Sequence, residues 1–165
     1  MRALQQLPDV ELMIIGRKSN FAAELAQTLG VQERLWQTDF VPDDQVEVFL
    51  ACANVMCLPL TDVSINRGRL PNKLLDYLAA GQAVVASPVG DVRDIVERYR
   101  VGLLASTEAE FADSLNRLLT DADLNAACRT QARRTAETVF AWERLGESVE
   151  TFYHKILALG KRRIG

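Results

Sequence analysis

Five short apolar runs recur along the chain with helix-patterned segments between them, and this alternation restricts the fold more than any other feature. The runs are VELMIIG (10–16), RLWQTDF (34–40), VMCLPL (55–60), AVVAS (83–87) and GLLA (102–105). VMCLPL is apolar on both faces, as a strand covered on both sides of a parallel sheet must be. In SNFAAELAQTLG (19–30), Phe21, Leu25 and Leu29 recur at i, i+4 and i+8 between a Ser19 N-cap and a Gly30 C-cap. PDDQVEVFLACA (42–53) opens with proline and acids, which suit a helix N-terminus. A loop and helix fill 61–80, GDVRDIVERY (90–99) is a short helix, and helical patterns continue over about 107–120, 121–137 and 141–159. Strands separated by such helices form right-handed βαβ units. The expected fold is α/β: a Rossmann-like three-layer sandwich with a parallel sheet of about five strands and a helical C-terminal segment, all in one domain, 1–165.

With 165 residues, 48% of them hydrophobic, the chain can enclose a real core. Its formal charge of −3 and pI near 5.3 argue against nucleic acid as a partner held by bulk electrostatics, yet leave room for a local basic patch. Cys52, Cys57 and Cys128 share no metal-ligand or redox spacing, and one histidine, His154, leaves too few ligands for zinc. Reduced thiols in a cytoplasmic protein fit this pattern, and His154, in the terminal helical region, reads as structural. No run approaches the roughly 18 apolar residues of a membrane span, and no signal-peptide pattern opens the chain. The basic end GKRRIG reads as a frayed tail rather than an anchor.

Parallel sheets bind ligands in the crevice beyond the carboxyl ends of their strands. Gly16-Arg17-Lys18 and the loop after VMCLPL both sit at that edge. The loop continues as INRGRLPNKLLDYLAAG (65–81), which sets Arg67, Arg69 and Lys73 around a helix start. Pro71 suits the first turn, leaving the amides of Asn72, Lys73 and Leu74 free at the positive end of the helix dipole. That is a phosphate or diphosphate site, and arginine can grip phosphate bidentately. Asp76 shares a face with Lys73 at i, i+3, away from Leu74, Leu75 and Leu78, and an ionised carboxylate can accept from ribose hydroxyls. A nucleotide satisfies both ends. From spacing alone, Lys73–Asp76 reads equally as a solvated pair, and Arg67 and Arg69 as solvated loop residues.

RLPNKLLDYLAAGQAVVASPVGDVRDIV resembles the donor-binding segment of retaining glycosyltransferases of family 4, which have the GT-B fold. The shared form is P-x-K-x-x-[E/D]-Y-[M/L]-A-x-G-x-x-V-V-A, matched by Pro71, Lys73, Asp76, Tyr77, Leu78, Ala79, Gly81, Val84, Val85 and Ala86. ELMIIG, FVPDDQVEVFLACANVMCLPL, VGLLA and FAWERLGESVETFY follow in the family's order, so the likeness covers most of residues 10–157. It implies a C-terminal domain that binds a nucleoside-diphosphate sugar, with Asp76 on the ribose and the amides of Asn72 and Lys73 on the diphosphate. Phe40, Val41 and Pro42 then line the base, and Gly16 ends a strand near the donor. No metal or cofactor is implied.

Gly68 stands where the family's motif carries its first acid, and Asp39 where a glycine commonly precedes the base loop. MRALQQLPDVELMIIG resembles the end of the helix that follows the family's first strand, Gly-Arg turn and phosphate lysine. The resemblance therefore implies a fragment, inactive alone, whose acceptor is bound by an absent N-terminal domain; the full-length protein is expected in the cytoplasm or at the cytosolic face of a membrane. An uncovered sheet edge would then be free to pair with a second copy. The alternative is a non-catalytic α/β module that binds a nucleotide or a protein partner; a GT-B sugar-nucleotide epimerase fits the motif and the FAW segment less well.

Overall fold

The computed structural model describes residues 1–161; the remainder of the basic tail, 162–165, lies outside the described residues. The elements run α1 (Arg2–Gln6), β1 (Leu12–Ile14), α2 (Asn20–Thr28), β2 (Leu35–Gln37), α3 (Asp43–Cys52), β3 (Met56–Leu58), α4 (Ser64–Arg67) and α5 (Asn72–Ala79). They continue β4 (Val84–Ala86), α6 (Asp91–Tyr99), β5 (Gly102–Leu104), α7 (Glu108–Thr120), α8 (Ala122–Thr138) and α9 (Trp142–Lys161). Each apolar run contributes a strand of three residues, and every pairing is parallel, as the βαβ spacing predicts.

The strands do not form one sheet. β1 pairs with β2, and β3–β4–β5 form a separate triplet, with Met56 opposite Val84 and Val84 opposite Gly102. The five expected strands are present and parallel, but as a pair and a triplet rather than one sheet, since no ladder joins β1 or β2 to β3, β4 or β5 among the described residues. Among the described residues, β1 and β3 each hydrogen-bond a strand on one side only.

The triplet carries the main core. Val84 and Ala86 turn toward α5 and α6, packing with Leu74, Leu78, Val92 and Val96, while Ala83 and Val85 face Leu118 and Cys128 of α7 and α8. Helices thus cover both faces of the triplet, and burying Val84 and Val85 contributes roughly 1.5–3 kcal/mol each. A smaller core of Leu4, Ala26 and Val31 backs β1 and β2. Arg34 ties it together by donating to the carbonyls of Leu4 and Leu7 at 2.8 and 2.6 Å, satisfying the end of α1. α1 in turn packs on α7, with Arg2 paired to Glu108 at 2.8 Å.

Local signals act where expected. Ser19 Oγ accepts from the Ala22 amide at 3.3 Å and caps α2, and Gly30, with φ +67°, lies just past its last turn. The end of α6 lacks such a glycine: Arg100 itself holds φ 54°, ψ 41°. A left-handed conformation costs a side-chain-bearing residue about 1–2 kcal/mol, part of which glycine returns through its freer unfolded state. Arg100→Gly is therefore expected to stabilise the fold by about 0.5–1 kcal/mol in urea denaturation. An unchanged or lower midpoint contradicts this.

α9 keeps Trp142, Val149, Phe152 and Ile156 exposed, and no described helix is long and apolar enough to cross a membrane. His154 lies on α9, exposed, with Nε2 3.7 Å from Glu150 one turn earlier.

Candidate functional site

The carboxyl ends of β3 and β4 open into the loops 59–71 and 87–90, the edge at which parallel sheets meet ligands. The loop after β3 reverses through α4, a single helical turn the sequence pattern does not anticipate, and then enters α5. Pro71, with φ −68° and ψ 124°, is the N-cap of α5 rather than a residue of its first turn. One consequence corrects the expectation of three free amides. The Leu74 amide donates to the Pro71 carbonyl at 3.0 Å, while those of Asn72 and Lys73 have no acceptor among the described residues. Two open donors thus remain at the positive end of α5.

The helix is held by its apolar side. Leu74 and Leu78 are wholly buried, and Pro71 is buried in front of them. Asn72, Lys73 and Asp76 are exposed on the other side, the separation of faces that the i, i+3 spacing predicts. Tyr77, half-buried, has its hydroxyl pKa raised by burial and by the neighbouring Cys57 and Asp76. The Cys57 thiol is pushed up to about 11, chiefly by burial, and so is protonated at neutral pH and a poor nucleophile.

Arg67 and Arg69 are each held by a neighbour in the same loop, Arg67 by a carboxylate and Arg69 by a neutral amide oxygen. Arg67 grips Asp62 bidentately, Nε to Oδ1 at 2.6 Å and Nη2 to Oδ2 at 2.9 Å. This hydrogen bonding holds the Asp62 carboxyl below the usual range against an opposing desolvation effect, with lesser help from the charges of Arg67 and Arg93. Arg69 donates twice to Asn66 Oδ1, at 3.0 and 2.7 Å. Sequence reasoning missed Asp62 and Asn66; their signal was proximity in the same loop, five and three residues before their arginines. Lys73 makes no ion pair among the described residues. It is the cation most open to an anion at this helix start.

Gly16, φ +127°, follows β1, and its amide donates to Thr38 Oγ1 at 3.4 Å at the end of β2. Phe40, Val41 and Pro42 come next, with Phe40 80% exposed, enough to present a ring face to a ligand. Asp39 Oδ1 accepts from the Phe40 amide at 2.9 Å and fixes this turn by its side chain. Among the described residues no hydrogen bond or ion pair joins this group to residues 67–76; the two groups follow the carboxyl ends of different strands, β1 and β2 for one and β3 for the other.

Gly68 ends α4 with φ −94°, ψ 9°, and a Cβ there would lie 3.6 Å from the Ser64 carbonyl, an ordinary contact. The backbone thus accommodates a side chain at this position. No three His, Cys, Asp or Glu side chains converge among the described residues.

Residues 1–121 match the family described as "Glycosyl transferases group 1". The alpha-maltose-1-phosphate synthase of Mycolicibacterium smegmatis is 26% identical over 170 residues, covering 92% of this chain and 42% of that protein. Among solved structures, sucrose-phosphate synthase from Thermosynechococcus elongatus superposes with a TM-score of 0.80 at 20% identity, over 95% of this chain and 41% of that one. Anabaena Alr3699/HepE, solved in complex with UDP-glucose, gives 0.75 at 20% identity, over 93% and 43%. The chain therefore spans about two fifths of the length of these relatives.

Proposed function

The chain belongs to the group 1 glycosyl transferases, and from that membership we propose that it is a donor-binding domain for a nucleoside-diphosphate sugar, of the retaining family 4 type. The observation that carries this reading is the start of α5, where the unpartnered amides of Asn72 and Lys73, the Lys73 ammonium and the Asp76 carboxylate share one exposed side. The diphosphate meets the amides and Lys73; the ribose hydroxyls donate to Asp76. Phe40, Val41 and Pro42 line the base beside Gly16, with Arg67 and Arg69 near the phosphates. UDP is the first nucleotide to try, since a structural neighbour was solved with UDP-glucose.

In transfer, negative charge builds on the departing diphosphate as its bond to the sugar C1 breaks. Fixed amides and a cation already aimed at that charge lower the barrier without reorganising. No residue here is assigned as a general base, and the proposed chemistry assigns no metal. Acceptor binding is proposed to reside outside these residues, in a protein acting in the cytoplasm or at the cytosolic membrane face.

Calorimetric titration of the 165-residue chain with UDP, GDP and UDP-glucose tests the reading. Saturable binding of at least one nucleotide is expected, with no sugar transfer by this chain alone; measurable transfer would overturn the division of labour. Absence of any binding would favour an interaction module, for which the one-sided pairing of β1 and β3 and an edge-strand dimer are the supporting features. For Asp76, Asp76→Asn is expected to weaken UDP roughly 10-fold or more and to abolish the preference for UDP over 2′-deoxy-UDP, since hydrogen bonds to a charged group contribute about 1.5–3 kcal/mol. A retained preference places the ribose elsewhere.

A further inference from the structure

We propose that Gly90 is a positioning residue for the α4 turn and, through it, for Arg67; its consequence for binding rests on the nucleotide-sugar reading above. Gly90 caps α6 at φ 53°, ψ −141°, a conformation closed to L side chains. An L-Cβ there would lie 2.7 Å from the Arg67 carbonyl oxygen, 3.1 Å from its Cα and 3.2 Å from its carbonyl carbon. The backbones of the two loops that leave β3 and β4 therefore touch at this point, and only the absence of a side chain lets them.

Which partner would yield to an added methyl follows from how each is held. On the Gly90 side, Val89 is buried, its amide donates to Ser87 O at 2.8 Å, and Ser87 Oγ accepts from Leu60 N at 3.0 Å. α6 itself is anchored by Val92, Ile95 and Val96. On the other side, α4 has no buried residue, and Ile65 is 73% exposed. α4 would move. α5 would not follow, because Leu74 and Leu78 are wholly buried. The displacement falls between Gly68 and Leu70, so the Arg67 guanidinium shifts relative to the open amides of Asn72 and Lys73.

The test compares Gly90→Ala with Gly81→Ala. Gly81 also has positive φ, +65°, but a Cβ there would meet only the Arg133 side chain, Cβ at 3.5 Å and Cδ at 3.9 Å, both ordinary contacts. Both variants carry backbone strain and should melt lower; only Gly90→Ala displaces α4. UDP affinity is expected to fall roughly tenfold in Gly90→Ala and to stay near wild type in Gly81→Ala, an effect of misplacement rather than stability. Equal affinities in the two variants overturn the proposal.

Amide resonances of Ser64–Gly68 give a readout that does not depend on nucleotide. They should move in Gly90→Ala and hold in Gly81→Ala, so a wild-type chain that ignores UDP would sink the nucleotide reading while this comparison still decides on Gly90. Should Gly90→Ala be too unstable to titrate, Gly90→D-Ala introduced by peptide ligation takes these angles without strain, their mirror image lying in the polyproline region. It carries its methyl away from Arg67, so wild-type positions for the Ser64–Gly68 amides are expected, and shifted ones would count against the contact.

Discussion

Lys73→Ala is expected to lower the turnover of a complete transferase containing this domain by about 10²–10³-fold while leaving its melting temperature nearly unchanged, within the roughly ±0.5 kcal/mol usual for surface substitutions. Lys73 is exposed on the second residue of α5 and has no ion-pair partner among the described residues. Alanine preserves the backbone amide and is the best helix former, so the change removes the ammonium and little else. The loss should fall mainly on kcat, because the charge that Lys73 meets is larger once the diphosphate departs than in the bound donor. Steady-state kinetics beside a thermal melt separates the two quantities. Unchanged turnover removes Lys73 from the diphosphate site, and a large drop in melting temperature marks it as structural instead.

Gly102→Ala carries the largest expected effect on stability. Gly102 pairs with Val84 across β4 and β5, and a Cβ built on it would overlap the Val84 carbonyl oxygen and lie 2.7 Å from its carbonyl carbon. Backbone atoms of a central strand cannot step aside as the end of a flexible side chain can. β4 is buried along its whole length, so separating it from β5 would open both faces of the core. A loss of roughly 3 kcal/mol or more is expected in urea denaturation, at or beyond the usual range for overpacking. A change below about 0.5 kcal/mol, the scale of an ordinary surface substitution, would show that β5 does not approach β4 this closely.

Much of the fold was legible because its signals are local. Ser19 as a cap, Gly30 past the end of α2, and the separation of Leu74 and Leu78 from Lys73 and Asp76 depend on neighbours within a turn or two. The α4 turn was not legible, since four residues in a polar loop carry no period to read. What holds the arginines was illegible for a related reason. Arg67 and Arg69 look like free cations in a string of letters, yet each folds back onto a loop neighbour, Asp62 or Asn66, that no pattern connects to it.

The sequence by itself determined the element types, the parallel sense of the strands and which residue types gather at the start of α5. These follow from hydrophobic period, βαβ spacing and capping, which act over a few residues. Tertiary structure alone decided that β3 pairs with β4 and not with the strand before it, because strand partners are chosen across the whole chain. It also decided which groups at the site remain open. Two of three amides have no acceptor among the described residues, while Arg67 and Arg69 are each held by a loop neighbour and Lys73 is not, since whether a donor is satisfied depends on what folding brings beside it. Finally, it revealed Gly90, whose contact with Arg67 joins residues 23 positions apart and could only be seen once both loops were in place.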